Sequence, residues 1–159
     1  MFLNKRYEQA SVAFKRAGRD REVKICQAYL LRGKARVIST TASEARIQAF
    51  LTAAKAFVSC AKDSPAERVT ERLSYHKAAG ECYSEARSYR NSGKNYLIAG
   101  EYDETARAYK NGEYIDEMME VINRHRDTMD AVLIERLEMA AKLHHFKVCF
   151  NSNPGVGRS

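Results

Sequence analysis

The side chains best placed for chemistry lie near the end of the sequence, where His145 and Cys149 are four residues apart. On a helix this spacing puts an imidazole and a thiol on one face, which is the beginning of a zinc site. Two such ligands seldom make a zinc site by themselves. We therefore expect no metal site and no cofactor.

Carboxylates and a glycine-rich ending are the other features that suggest chemistry. Glu135 and Glu138 lie beside Arg136 and Lys142, which is typical of a solvated helix face rather than of an acid/base pair. The ending PGVGRS at 154–159 lacks the lysine and the preceding strand of a phosphate-binding loop. No GxSxG or HExxH motif occurs. The sequence predicts no catalytic residues, and we expect that the protein is not an enzyme.

Composition favours one all-helical domain. The chain has 159 residues, 45% apolar and 30% charged, with only two prolines and eight glycines. It is rich in Ala, Glu, Lys and Arg, the residues that favour helix. We predict a single helical domain over 1–150 and a disordered tail over 151–159, where no periodicity is present. No apolar run approaches the roughly 18 residues of a membrane span, so no membrane insertion is expected.

Cysteine usage indicates the redox compartment. Cys26, Cys60, Cys82 and Cys149 are widely spaced and form no CxxC pair. The first residues, MFLNKRYEQ, contain no apolar core of a secretory signal. We therefore expect reduced thiols and a cytoplasmic or nuclear location, with the first three cysteines buried as small apolar residues.

A repeat between Tyr89 and Val121 predicts the elements that would position a site. Two aromatic pairs have members seven residues apart, so each pair lies on one face of a short helix. Gly100 and Gly112 fall between helices, where glycine most readily takes a left-handed conformation. The pairs are Tyr89 with Tyr96 and Tyr102 with Tyr109, and overlaying them brings Gly93 onto Ala106. This self-similarity predicts a stack of short antiparallel helices in which the four tyrosines are mostly buried and Gly93 lies where two helices approach closely.

Capping signals predict the bounds of the other helices. A helix through Tyr7 ends near Gly18, and Asp20 caps a second helix that runs to about Val37. The sequence Ser64-Pro65-Ala66-Glu67 is the clearest helix start in the chain. The remaining helices are expected from a capping box of Thr41 and Glu44 to Lys62, at about 89–99, 102–111 and 114–124, and from a cap near Asp127 or Thr128 onward. The sequence thus predicts about eight helices in successive antiparallel hairpins.

The repeated residues resemble the tetratricopeptide repeat, which has an aromatic, a glycine and a tyrosine on its first helix and an aromatic on its second. The resemblance covers about a third of the chain and implies an all-α solenoid with a right-handed superhelix. Departures include Ser92 in place of leucine and Glu117 near the expected proline. The matching residues are Tyr89, Gly93 and Tyr96 on the first helix, Gly100 and Tyr102 at the turn, Tyr109 on the second helix, and Tyr7, Ala10 and Phe14 as a half repeat.

The chain also resembles the degenerate helical repeats of very large proteins, such as those that join tetratricopeptide and ankyrin repeats to a helicase domain. That resemblance, and a first repeat that lacks its partner helix, predict a fragment of a larger protein. Leu3, Val12 and Phe14 would then begin the array uncovered, so we expect partly exposed apolar side chains and self-association at this end.

The most specific functional prediction concerns three cations at i, i+3 and i+7: Arg87, Arg90 and Lys94. In the tetratricopeptide fold the first helices line a concave peptide-binding groove, so the resemblance implies that these residues, with Asn95 and Ile98, line a groove. We therefore predict a noncatalytic scaffold that binds a protein or peptide of acidic character. A plain solvated face is the alternative for these side chains.

Charge distribution leaves a second function open. Residues 1–36 contain ten Lys or Arg and three Asp or Glu, which accounts for the whole formal net charge of +7. Residues 101–120 contain seven acids against Arg107 and Lys110. The basic first section suggests a nucleic-acid-associated module within a helicase-like parent. Its aromatic residues are not interleaved as stacking platforms, so protein binding is favoured.

Overall fold

The structure is a computed structural model that describes the backbone of residues 2–152 and the side chains of residues 3–152. Over this range the chain forms eight α-helices and one 3₁₀ turn and contains no strand, which confirms the all-α prediction. The last helix extends to Asn151, and residues 153–159 of the predicted disordered tail lie outside the described range. The helices are α1 (Phe2–Arg16), α2 (Asp20–Val37), α3 (Ser43–Lys62), α4 (Val69–Glu85), α5 (Tyr89–Ala99), α6 (Tyr102–Asn111), α7 (Ile115–His125) and α8 (Ala131–Asn151), with the 3₁₀ turn at Arg126–Thr128.

Each helix packs mainly on its neighbours in sequence. Among the described residues the main contact between non-consecutive helices joins α6 to α8, and it is small. Four of the seven connections between these helices have only two or three residues, so the helix that follows each of them folds back beside the one before it. The arrangement is compatible with a helical repeat fold.

Four of the connections are the same turn, built on an aromatic residue near the end of the preceding helix. The carbonyl of that aromatic accepts a hydrogen bond from the backbone N–H five residues later, and the residue before this donor is left-handed. The last three turns are spaced by 13 residues, so the repeating unit is one helix and one turn. The acceptors and donors are Phe14 with Arg19, Tyr83 with Ser88, Tyr96 with Glu101 and Tyr109 with Tyr114, at 2.8–2.9 Å, and the left-handed residues are Gly18, Arg87, Gly100 and Glu113.

The prediction that Gly112 takes the left-handed conformation is wrong. Gly112 has φ −89°, and Glu113 carries the positive φ of 62°. Glycine is needed at 112 because a Cβ there would lie 2.9 Å from the Cβ of Tyr89 and 2.5 Å from the ring of Tyr114. Gly112 therefore permits close packing, and the left-handed backbone conformation of the turn falls on the next residue, Glu113.

Close approach of α5 to its neighbours confirms the predicted role of Gly93. A Cβ at Gly93 would lie 2.7 Å from the Cδ1 atom of Tyr109, and Gly80 stands in the same relation to the ring of Tyr96. Tyr96 and Tyr109 are only 6% and 5% exposed. Tyr89, like Tyr102, is only partly buried, so two of the four repeat tyrosines are less enclosed than predicted.

Two apolar clusters lie on either side of α5. One spans α2–α4 around Phe50 and Phe57, and the other spans α6–α8 around Met118 and Ile122. The buried positions of α5 are small or polar instead: Ser92, Gly93, Asn95 and Tyr96. The Ser92 hydroxyl donates to the Gly80 carbonyl at 2.8 Å. The buried part of α5 between the two clusters, which we call the polar seam, is therefore held by hydrogen bonds and by close backbone contact.

Four predicted helix caps are wrong. Helix α3 begins at Ser43 without a side-chain cap, so Thr41 and Glu44 form no capping box. The Ser64 hydroxyl donates back to the Cys60 carbonyl at 2.9 Å, which satisfies the end of α3 and delays α4 until Val69. At the last helix the cap is Asp130, whose carboxylate accepts from the Leu133 N–H at 2.7 Å, in place of Asp127 or Thr128. Arg19, in place of Asp20, precedes α2.

Candidate binding surfaces

The structure divides the five predicted groove residues among three environments. Arg87 lies before α5, in the left-handed position of the α4–α5 turn with φ 56°, so it does not continue a helical face. Arg90, Lys94 and Ile98 are exposed and follow one face of α5 at i, i+4 and i+8. Asn95 is buried. Arg90 and Lys94 therefore share a helix face as their spacing predicts, whereas Arg87 does not.

Arg90 is oriented by Glu117 of helix α7 and by Tyr114, the residue before that helix. Its Nη2 atom lies 2.9 Å from Oε1 of Glu117, and its guanidinium lies 4.4 Å from the ring centre of Tyr114. Stacking on an aromatic face and pairing with a carboxylate both favour arginine. The charge of Arg90 is thus partly balanced, whereas Lys94 forms no salt bridge within the described part of the chain.

Asn95 has a structural role. Its Oδ1 lies 2.9 Å from Nδ1 of His76, and its Nδ2 donates to the Asn91 carbonyl at 2.9 Å. This pair joins α4 to α5 beside the polar seam. His76 is thus a hydrogen-bonded residue between two helices.

Arg87 lies on a cleft that the sequence did not predict. One part of the cleft is lined by Arg46, Glu85, Arg87 and Tyr89 together with Thr40, Ser43, Ile47 and Ser84. The adjoining part, of ≈ 300 Å³, shares Arg46, Ser84 and Glu85 with the first and is also lined by Arg32, Arg36, Phe50, Glu81, Cys82 and Tyr96. We call this feature the arginine cleft, defined by Arg32, Arg36, Arg46 and Arg87.

Two of the four arginines are held in place by protein groups. Arg46 lies 3.0 Å from a carboxylate oxygen of Glu85, donates to the Ile38 carbonyl at 2.9 Å and stacks on Phe50. Arg32 pairs with Glu81 at 3.2 Å. These contacts fix the walls of the cleft and neutralise two of its charges.

The other two arginines keep their charge available. Arg36 and Arg87 are exposed, and neither forms a salt bridge with any residue between 3 and 152. Four arginines face two carboxylates, so the cleft retains about two positive charges. Tyr89 and Tyr96 add aromatic surface to its walls. The arrangement suits an anionic ligand with some apolar character.

Sequence reasoning missed Arg32, Arg36 and Arg46 as site residues. Arg32 and Arg36 belong to the basic first section that suggested nucleic acid, and their i, i+4 spacing is the only local signal. Arg46 comes close to Arg32 and Arg36 because α2 and α3 pack together, and no short sequence motif predicts that packing.

Three of the four cysteines are poorly suited to nucleophilic chemistry. All four are free. Burial raises the pKa of the Cys26 and Cys60 thiols and raises the pKa of Cys82 to about 11, so these thiols stay protonated at neutral pH. Cys149 is exposed. Within the described residues no group of three or more His, Cys, Asp or Glu is placed to hold a metal ion.

Comparison of the chain with protein-family models, with curated proteins and with solved structures gives no match. None of the helices in the described range has the length and apolar character needed to cross a bilayer.

Proposed function

We propose that this chain is a noncatalytic protein-interaction module that binds an acidic peptide segment of a partner in the arginine cleft. The observation that carries the proposal is that Arg36 and Arg87 line the two parts of this cleft and form no salt bridge within residues 3–152, whereas Arg32 and Arg46 are already paired. A guanidinium binds a carboxylate through two parallel hydrogen bonds. An acidic segment would therefore form ion pairs with Arg36 and Arg87, which no carboxylate within residues 3–152 pairs with.

We also propose that the fold is a helical-repeat solenoid of the tetratricopeptide-like kind. The support is the repeated pairing of a small residue with an aromatic side chain of the next helix, Gly80 with Tyr96 and Gly93 with Tyr109. The identical turns at intervals of 13 residues add to it. In such a solenoid each helix pair would extend a continuous surface on which a peptide can lie.

The face of α5 is the second candidate surface for the same ligand. Arg90, Lys94 and Ile98 present two cations and an apolar side chain on one exposed helix face. This face is less favoured than the cleft, because Arg90 already pairs with Glu117 and a convex helix surface buries less of a ligand.

Selection from a displayed library of random 16-residue peptides tests the proposed function. We expect wild-type protein at low salt to enrich peptides with clustered Asp and Glu, and R36E/R87E protein to lose that enrichment. K55E/K62E is the matched control, because it makes the same charge change at exposed lysines that line neither part of the cleft.

The remaining outcomes separate the competing surfaces. Loss of enrichment in R90E/K94E but not in R36E/R87E would move the site to α5. Equal enrichment by all variants, or the absence of an acidic preference, would refute acidic-peptide binding. Binding of poly-U RNA by wild type together with a failure to enrich peptides would favour the nucleic-acid function instead.

A further inference from the structure

The outer face of α8 carries an apolar stripe that nothing in the described chain covers. Its members are spaced by three or four residues, the 3.5-residue repeat of helices that pair side by side. They are Met139, Leu143, Phe146 and Phe150, exposed by 56%, 56%, 69% and 74%. Val132 continues the stripe toward the start of the helix and is 58% exposed.

The inner face of α8 accounts for its attachment to the fold without using this stripe. Leu133, Ile134, Leu137 and Ala141 are buried in the cluster that α6 and α7 share. At 100° per residue these positions centre on the side of α8 opposite the stripe. Helix α8 is therefore apolar on two faces, and other residues of the described range cover only one of them.

The charges beside the stripe all have one sign over the last three turns. Lys142 lies on one flank and Lys147 on the other, and no Asp or Glu occurs between Met139 and Asn151. In paired helices the flanking side chains choose the partner, and like charges there oppose association. We propose that this stripe docks an amphipathic helix of a partner protein whose flanking side chains are acidic.

A second copy of this chain fits the stripe less well. A parallel pairing of α8 with itself would gather two copies of Lys142 and Lys147 at one interface, and no acid lies between Met139 and Asn151 to balance them. The other exposed apolar end, around Leu3 and Val12 on α1, carries Lys5, Arg6, Lys15 and Arg16 against Glu8 alone. Both exposed ends of the fold are cationic, so charge favours an acidic partner over self-association.

Two designed 21-residue peptides test this inference, which does not depend on the arginine cleft. Both carry leucine at the core positions of a heptad repeat; one has Glu and the other Lys at the flanking positions. We expect the Glu peptide to bind the full chain at least tenfold more tightly than the Lys peptide, as measured by fluorescence anisotropy. F146D should weaken that binding at least tenfold. The exposed Phe146 predicts an unchanged helical spectrum and melting temperature for this variant.

A charge swap and a matched control keep the test specific. K142E/K147E should reverse the preference, so that the Lys peptide binds better than the Glu peptide. V12D places the same kind of substitution on α1 and should leave binding unchanged. Equal binding of both peptides, or wild-type affinity in F146D, would overturn the inference.

Two other occupants would give different results. A dimer in sedimentation velocity that F146D abolishes would show that a second copy covers the stripe. Binding to phosphatidylserine vesicles without binding to the Glu peptide would show a membrane surface instead. Either result overturns the proposal.

Discussion

The ring of Tyr109 lies against the backbone of Gly93, so close that a Cβ atom at Gly93 would be 2.7 Å from the ring carbon Cδ1. The same relation joins Gly80 to Tyr96, one helix earlier. Successive helices thus approach through a glycine and a tyrosine, and α5 takes part in both contacts. This pair of contacts connects the two apolar clusters across a helix that buries few large side chains.

Substitution of Gly93 by alanine should destabilise the protein. Overpacking of a closed contact costs roughly 1–3 kcal/mol, and the helix propensity of alanine recovers up to about 1 kcal/mol of this. We expect a net loss of about 1–2 kcal/mol in the free energy of unfolding in urea.

The partner residue supplies the control for this prediction. In a Y109A background the ring is gone, so G93A should be neutral or slightly stabilising because only the propensity gain remains. An equal effect of G93A in both backgrounds would contradict the packing assignment.

A glycine at position 113 should stabilise the fold. Glu113 adopts φ 62°, a conformation that costs a non-glycine residue roughly 1 kcal/mol and costs glycine almost nothing. We expect E113G to raise the free energy of unfolding by up to about 1 kcal/mol. K110G, three residues earlier at an exposed helical position, should instead lower it by roughly 0.5–1 kcal/mol. If both substitutions destabilise, the turn assignment is wrong.

The middle of the fold was predictable because its signals are local. The bounds of α5 and α6 follow from the glycines and paired tyrosines, and the helix packing of Gly93 follows from the same register. The starts of α3 and α4 were not predictable from Thr41 or Ser64, because a capping sequence can equally form a turn. Ser64 bonds backward to the preceding helix instead.

The candidate site was less predictable, because it depends on pairings between distant residues. Spacing alone placed Arg87 on the face of α5, but the turn before that helix removes it from the face. Asn95 is withdrawn from the surface by His76, which lies 19 residues away in sequence. The arginine cleft requires α2, α3 and α4 to pack together before its members become neighbours.

Stability should fall in acid through Glu71. A hydrogen bond from the Tyr75 hydroxyl, and then Arg21, hold the pKa of this carboxyl below its usual value near 4.5. A lowered pKa in the folded state stabilises the fold above the ordinary value, and that contribution is lost as the pH falls through the folded pKa. E71Q should therefore have a lower free energy of unfolding than wild type at pH 7. This difference, the stability gap, should close below about pH 4.5. Urea unfolding of both proteins at pH 7, 5, 4 and 3 measures the stability gap, and a gap that does not change with pH would contradict the stabilising role of ionised Glu71.

Thiol labelling should distinguish one cysteine from the other three. Cys149 is exposed, whereas Cys26, Cys60 and Cys82 are buried and their pKa values are raised. At pH 8 the native protein should react with a disulfide reagent at one fast site, and C149S should remove that phase. All four thiols should react after unfolding in urea. A second fast site in the native protein would show that a buried helix opens readily.

The most direct test of the proposed function is a titration with a labelled 16-residue peptide of alternating glutamate and leucine, followed by fluorescence anisotropy at increasing salt. We expect saturable binding at low salt that weakens as salt screens the exposed arginines. Binding should be lost in R36E/R87E and retained in K55E/K62E. Absence of binding by the wild type at low salt, or equal affinity in R36E/R87E, would contradict acidic-peptide recognition by the arginine cleft.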